Sequence, residues 1–337
     1  MTFLNKVLFM NTMMMGTIIA ISSYSWITMW IGMEINLLSI IPIMKSSKNK
    51  FPAESTMKYF ITQSMASSIL LISILLSLNL KNLFNEEFSN FTMLMLNSSF
   101  LIKMGAAPFH FWFPEIIEGL SWMNIMIMLT WQKIAPMILL MYNMKNMSMF
   151  IHIIIISSSL IGGIQGLNQM SIRKILAYSS MNHIGWMISS LMCSSLTWLL
   201  YFLIYSTISI NIIFLLNKFN IFYMNQMNMF NKNKMIKIFL AMNFLSLGGL
   251  PPFLGFMPKW LTMLSLIKNN FYFISSIMVF LTLITLYFYT RMIFSSLTIN
   301  NNENLIHYFN KLNFYFFYLN FFSLSTLLMS ELLYMIY

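Results

Sequence analysis

The chain has 337 residues, of which 58% are hydrophobic and 8% are charged, and its mean hydropathy is +0.74. Soluble domains carry about 25% charged residues, so this composition excludes a soluble enzyme and indicates a polytopic bundle of membrane helices. The net charge of +11 comes from basic residues in short loops between apolar segments, a pattern typical of membrane proteins and not of nucleic-acid binding. Cys193 is the single cysteine, which excludes an intramolecular disulfide and a cysteine-ligated cluster.

Apolar segments recur from one end of the chain to the other, and counting them between polar breaks predicts about 11 transmembrane helices. The loops between them are short, so we expect a single all-α transmembrane domain over residues 1–337. In chain order the predicted spans are 3–21, 24–44, 56–79, 91–119, 122–142, 148–167, 172–191, 196–217, 235–267, 271–296 and 313–336.

The fourth and ninth predicted spans carry glycine and proline in their middle, in the segments LIKMGAAPFHFWFP and SLGGLPPFLGFMPKW. Proline lacks a backbone donor and clashes with the preceding turn, so Pro108, Pro251 and Pro252 predict two discontinuous helices. The two broken spans start five spans apart and would therefore cross the membrane in opposite directions. This predicts an inverted repeat of residues 3–142 and 148–296, with the last span added.

The basic residues of the loops predict the orientation. With this count of spans, thirteen of the 19 lysines and arginines fall on the side of the N-terminus, three on the opposite side and three inside spans. Basic loops stay on the side where a membrane protein is made, so we expect the N-terminus there. The chain has 36 methionines and no aspartate, a usage that resembles an AT-rich organellar genome with an additional methionine codon.

Four charged side chains lie well inside predicted spans: Glu34, Lys103, Lys133 and Lys259. A charge at the bilayer centre costs about 3 kcal/mol on insertion scales, so each is a candidate functional residue. Glu34 can offset Lys103, and a lysine poised between its charged and neutral forms can take up and release a proton. The alternative is that the lysines extend along the lipid to the interface, which is implausible for Lys133, about eleven residues from either end of its span.

The seventh predicted span contains RKILAYSSMNHIGW, in which His183 can both donate and accept a proton. His183 is therefore a possible relay, and a histidine held by hydrogen bonds between helices is the alternative. Gly162, Gly163 and Gly166 predict close helix packing and not a phosphate-binding loop. Motifs for a nucleotide, haem or metal do not occur in the sequence, so we expect no cofactor or metal in this chain.

Five segments resemble a known family in chain order: WIGMEINLLSIIPIM, LIKMGAAPFHFWFPEIIEGLSWMN, LTWQKIAP, SIRKILAYSSMNHIGWM and NFLSLGGLPPFLGFMPKW. The chain resembles the NADH-ubiquinone oxidoreductase chain 2 family, the mitochondrially encoded, antiporter-like subunits of respiratory complex I, and its insect members in particular. The resemblance implies proton translocation from the matrix to the intermembrane space, coupled to electron transfer from NADH to ubiquinone. It implies a Glu34–Lys103 switch pair, Lys133 as the central relay and Lys259 as the residue that exchanges protons with the intermembrane space.

The resemblance also implies a multi-pass protein of the mitochondrial inner membrane with its N-terminus in the matrix. Its partners would be other complex I subunits, especially neighbouring antiporter-like subunits, together with lipids, water and protons. NADH, FMN, iron–sulfur clusters and ubiquinone would bind other subunits. Two alternatives stay open, a free-standing cation/proton antiporter and a purely structural membrane-arm subunit. The lack of a second carboxylate near Glu34 weighs against the first, and the cost of three lysines inside spans weighs against the second.

Overall fold

A computed structural model of the chain describes residues 3–45, 50–80, 86–144, 148–227, 234–251 and 253–297. The predicted span at 313–336 and Pro252 lie outside the described residues. The described residues form the helices α1 (Phe3–Ser22), α2 (Trp26–Met44), α3 (Lys50–Leu80), α4 (Glu86–Met104), α5 (Trp112–Gly119), α6 (Trp122–Leu129), α7 (Trp131–Asn143), α8 (Ser148–Leu167), α9 (Ile172–Cys193), α10 (Ser195–Phe219), α11 (Lys234–Gly248), α12 (Phe256–Lys268) and α13 (Tyr272–Leu297).

The helices agree with an all-α polytopic membrane protein, so the predicted fold class is confirmed. Within the described ranges, seven segments are long and apolar enough to cross a membrane. They are Leu4–Ser22, Trp26–Met44, Lys50–Leu78, Trp122–Asn143, Ser148–Leu167, Ser195–Phe219 and Tyr272–Phe294. The broken spans appear as α4 with α5 and as α11 with α12. The total number of spans and the inverted repeat stay predictions.

The chain divides into two compact units, Met1–Ser157 and Ser158–Tyr337, and the boundary falls inside α8. In the first unit, α1 and α2 touch through their backbones. A Cβ atom on Gly32 would lie 2.6 Å from the backbone nitrogen of Ala20, and a Cβ on Gly16 would lie 2.9 Å from that of Asn36. Small residues at such contacts are the usual way in which membrane helices approach closely. The contact fixes the part of α2 that carries Glu34.

In the second unit, α9 is buried on almost every face and packs against α10, α12 and α13. A Cβ atom on Gly162 would lie 2.8 Å from the carbonyl oxygen of Tyr178, which confirms the predicted close packing of this glycine in α8. At the end of α13, Arg291 donates hydrogen bonds to the carbonyl oxygens of Leu167, at 2.6 Å, and of Gln169, at 2.9 Å. Arg291 therefore caps the C-terminus of α8, where a cation is favourable.

The fifth predicted span, 122–142, agrees with the apolar segment Trp122–Asn143, which has one irregular residue that was not predicted. This residue is Thr130, between α6 and α7, where the backbone angles are φ −112° and ψ −75°. Pro136 lies six residues later, inside α7, where it lacks an N–H and its ring faces the carbonyl of residue 132. Lys133 lies in the first turn after Thr130.

Candidate functional site

The first break begins at a glycine and not at a proline. Gly105 has φ +71°, a conformation that an L-residue rarely adopts, and it ends α4. Its N–H donates to the carbonyl oxygen of Ile102 and the N–H of Ala106 donates to that of Leu101, both at 3.1 Å. These two bonds form a Schellman motif, which pairs carbonyls that the end of a helix leaves open. Pro108 follows in the connection to α5, so the predicted break is present and starts three residues earlier.

Lys103 lies in the last turn of α4, directly before this break, and is 7% exposed. It lines a pocket of about 280 Å³, counted with its opening, together with Met33, Asn36, Leu37, Tyr59, Gln63, Gln132 and Pro136. Glu34 does not line the pocket, although its carboxylate interacts electrostatically with Lys103. Among the described residues, the two do not form an ion pair with a nitrogen–oxygen distance of 4.0 Å or less. The predicted pair is therefore brought near but not into contact.

Side-chain amides form the polar wall of the Lys103 pocket. Asn36 of α2 and Gln132 of α7 hydrogen-bond reciprocally, at 3.2 Å from Asn36 Nδ2 to Gln132 Oε1 and at 3.0 Å from Gln132 Nε2 to Asn36 Oδ1. The hydroxyl of Tyr59 donates to Gln132 Oε1 at 3.4 Å. Gln63 Nε2 donates to the carbonyl oxygen of Lys103 at 3.4 Å. Sequence reasoning missed this cluster, because its members come from three helices.

Lys133 is fully enclosed, with 1% of its surface exposed. Its Nζ lies 5.7 Å from the centre of the Phe113 ring, a cation–π distance. Phe113 is in the first turn of α5, just after the first break, and its ring carbons lie 3.2–3.3 Å from where a Cβ on Gly105 would be. Lys103 and Lys133 therefore stand on the two sides of one broken helix, the first on its N-terminal half and the second against its C-terminal half.

The second break is built in the same way. Gly249 has φ +77° and ends α11, with its N–H donating to the carbonyl oxygen of Ser246 at 3.0 Å. The N–H of Leu250 donates to the carbonyl oxygen of Leu245 at 3.3 Å, which completes a Schellman motif. Pro251 follows in the connection to α12, so the predicted second break is present. The connection is tight, because a Cβ atom on Gly255 would overlap the carbonyl oxygen of Ser246.

Lys259 lies in the first turn of α12 and its side chain reaches back across the break. Its Nζ donates to the carbonyl oxygen of Gly248 at 2.8 Å and to that of Leu247 at 3.4 Å. Lysine thus binds the C-terminal end of α11, where helix carbonyls favour a cation. A Cβ atom on Gly249 would lie 2.8 Å from Lys259 Cδ and 2.9 Å from its Nζ, so the approach requires glycine there.

His183 lies on the buried face of α9, and its Nδ1 is 2.9 Å from the hydroxyl oxygen of Tyr201 on α10. Its ring also lies 4.9 Å from that of Tyr205, measured between centroids. These groups line a pocket of about 200 Å³, counted with its opening, together with Ile204, Ile208, Ser246, Leu247, Gly255 and Pro258. The far wall of the pocket is formed by Ser246 and Leu247 before the second break and by Gly255 and Pro258 after it, so His183 faces both sides of the break. Lys259 itself does not line it.

Charges at the exposed end of the fourth span form a separate cluster. Lys58 Nζ lies 3.1 Å from Glu54 Oε1 and 3.0 Å from Glu115 Oε2. The three side chains are between 43% and 66% exposed, so water screens their interaction. Glu115 is therefore a solvated end charge, and it is far less enclosed than the lysines of the breaks.

Comparison with known proteins places the chain in a family. Residues 23–285 match the family described as "NADH:quinone oxidoreductase/Mrp antiporter, TM". NADH-ubiquinone oxidoreductase chain 2 of Anopheles gambiae is 46% identical over 335 residues, which cover 98% of each chain. The chain belongs to the NADH-ubiquinone oxidoreductase chain 2 family. The Locusta migratoria member is 49% identical over 300 residues, covering 89% of this chain and 87% of that one.

The chain 2 family was predicted from the sequence motifs, and these relatives confirm it, including the likeness to insects. The structure also resembles a chain of respiratory complex I from Thermus thermophilus, with a TM-score of 0.87 over 97% of this chain and 79% of that one. The two sequences are 19% identical, so this likeness shows the antiporter-like fold. As a chain 2 protein, the molecule is a membrane-arm subunit of complex I.

Proposed function

We propose that this chain 2 subunit translocates protons from the matrix to the intermembrane space through Glu34, Lys103, Lys133 and Lys259. The observation that carries the proposal is the burial of the three lysines, which are 7%, 1% and 7% exposed in that order. Each of them lies within one turn of a helix interruption or packs against one. Backbone is interrupted at membrane depth only where protein or water satisfies its polar groups, and such places serve ion pathways in transporters.

The environments of the lysines support reversible protonation over a structural role. In the described part of the chain, neither Lys103 nor Lys259 forms an ion pair, so no carboxylate neutralises either ammonium permanently. A buried charge that only knits helices together would be expected in a close, fully hydrogen-bonded pair. Glu34 acts on Lys103 through space and can modulate its charge without binding it. This favours a switch over a purely structural subunit.

The chemistry assigns each group a step. Lys103 takes a proton while the Glu34 carboxylate favours its charged form. Lys133 holds the proton against the Phe113 ring, which stabilises an ammonium group through its π face. Lys259 holds it against the carbonyl oxygens of Gly248 and Leu247 before release. His183 relays within the pocket that it shares with the second break.

Family membership supports the setting that we propose for these steps. The chain spans the mitochondrial inner membrane. Its N-terminus faces the matrix, which is the side that the distribution of basic loop residues predicts. Neighbouring antiporter-like subunits and lipids surround the chain. Electron transfer from NADH to ubiquinone, with FMN and iron–sulfur clusters, takes place in other subunits and drives the cycle. A free-standing cation/proton antiporter is disfavoured, because the identity to chain 2 proteins extends over 98% of both chains.

Lys133→Met in the assembled complex tests the proposal. Methionine keeps most of the volume of lysine but cannot carry a proton, so proton pumping per electron should fall while the amount of assembled complex stays normal. Lys268→Met is the matched control, because Lys268 is exposed at the end of α12 and should be replaceable without effect. Pumping is measured with a pH-sensitive dye in liposomes that contain the purified complex. Normal pumping per electron by Lys133→Met would exclude the relay.

Membership of the complex in this organism can be measured independently. Inner membranes are solubilised gently, separated on a native gel and stained for NADH dehydrogenase activity. Peptides of this chain should then be found by mass spectrometry in the large stained band. Migration as a small separate particle would contradict the assignment and favour the antiporter.

A further inference from the structure

The Lys103 pocket contains more polar groups than the four charges explain. Asn36, Tyr59 and Gln63 are each 3–4% exposed, although none of them carries a charge. Burying an amide or hydroxyl in a membrane protein is costly unless it finds partners, and each such group here reaches the pocket that contains Lys103. Polar residues that only fasten helices together do not need to converge on one space. Their convergence indicates that the pocket itself requires polar groups for its function.

Gln132 is the centre of the arrangement. Its amide oxygen accepts hydrogen bonds from Asn36 and Tyr59, and its amide nitrogen donates to Asn36. The amide plane is therefore held by two other helices, α2 and α3. Gln132 also directly precedes Lys133 in the chain, so whatever fixes Gln132 also fixes the turn that carries Lys133.

The pocket suits water. A buried water molecule makes about three hydrogen bonds and needs a polar site of adequate volume. The pocket leaves room for about one water molecule and is lined by Lys103, the phenol of Tyr59 and three amides. Amides and phenols donate and accept hydrogen bonds but do not ionise near neutral pH, so they orient water without holding a proton themselves.

We propose that Gln132 is a positioning residue for proton transfer, whose amide, held by Asn36 and Tyr59, orients water beside Lys103. The inference rests on the proposed proton translocation through this chain. The face of α2 that lines the pocket is formed by Met33, Asn36 and Leu37, one helical turn apart, and Glu34 lies outside it. The oriented water, and not the Glu34 carboxylate, is then the group in contact with the Lys103 amine.

Gln132→Met tests the proposal, because methionine fills the same space and removes the amide. Loss of the bond from this amide to the oriented water should by itself slow proton pumping about fivefold. The matched control is Asn124→Leu, which removes another amide between the same two spans, since Asn124 Nδ2 donates to the carbonyl oxygen of Ile43 at 3.3 Å outside the pocket. Purified complex is reconstituted in liposomes, and pumping is compared with NADH oxidation by ferricyanide, which reports on the redox part alone.

The expected result is slow pumping by Gln132→Met, normal ferricyanide activity, and near-normal pumping by Asn124→Leu. Equal pumping by the two variants would overturn the proposal. Tyr59→Phe serves if Gln132→Met does not assemble, because it removes only a hydroxyl, and normal pumping by it would also refute the role of the pocket. Normal pumping by Lys133→Met would reject the proposed function whatever Gln132→Met does, so the two ideas can be rejected separately.

Discussion

Replacing Gly249 by alanine should disturb Lys259 without touching the lysine itself. Two costs arise from the structure. An alanine at the positive φ of +77° is disfavoured by about 1–2 kcal/mol. The new Cβ would also lie 2.8 Å from Lys259 Cδ, and because the end of a lysine is flexible, the lysine moves and the backbone stays.

The displacement removes the 2.8 Å hydrogen bond from Lys259 Nζ to the carbonyl oxygen of Gly248. A hydrogen bond to a charged group contributes about 1.5–3 kcal/mol, so a loss of about 2 kcal/mol reduces the population of the carbonyl-bound lysine roughly 30-fold. We expect Gly249→Ala to assemble into the complex and to pump far fewer protons per electron. The measurement is dye-monitored pumping in liposomes at a fixed rate of NADH oxidation.

Two further variants separate the causes. Gly248→Ala is the matched control, because its Cβ would lie in ordinary contact, 3.6 Å from the Tyr289 ring, and should leave pumping intact. Asparagine tolerates positive φ but, like alanine, adds a Cβ atom, so Gly249→Asn should pump as poorly as Gly249→Ala. If Gly249→Ala pumps like Gly248→Ala, or if Gly249→Asn restores pumping, the contact with Lys259 is not what the glycine serves.

Three more outcomes are expected in the assembled complex. Glu34→Gln should lower coupled NADH oxidation by removing the carboxylate that acts on Lys103; an unchanged rate would count against the switch. Gly162→Ala should reduce the amount of complex on a native gel, because its Cβ meets backbone at 2.8 Å, whereas Gly163→Ala, whose Cβ has 3.4 Å of room, should not. Arg291→Met should cost about 3 kcal/mol at the end of α8 and lower the temperature at which the complex is inactivated; no change would show that water replaces the guanidinium.

Much of the fold could be predicted, because the membrane imposes long apolar segments whose ends are marked by polar loops. The breaks could also be predicted from their prolines, since proline cannot continue a helix. Their starting points could not, because the breaks begin at Gly105 and Gly249, and only the backbone angles show which glycine closes the helix. The irregular residue Thr130 in the fifth span was not predicted, because the proline of that span, Pro136, lies six residues away inside α7.

The candidate site was predictable in its charges and not in its contacts. A charge inside an apolar segment stands out in any sequence, which is how Lys133 and Lys259 were found. The partners of those charges are carbonyl oxygens and aromatic rings, which every segment contains, so no pattern singles them out. The pairing of Asn36 with Gln132 joins residues 96 positions apart and depends on helix packing that the sequence does not express.

Because Lys259 reaches across the second break, its side chain can control how easily the two halves of the ninth span move relative to each other. The two halves are joined by a connection and, in addition, by a side-chain strut from α12 to the last carbonyls of α11. A charged strut holds such carbonyls by about 1.5–3 kcal/mol, and a neutral amine by roughly 0.5–1.5 kcal/mol. The free energy needed to bend the span at the second break therefore depends on whether Lys259 is protonated. Bending is harder when Lys259 is charged and easier when it is neutral.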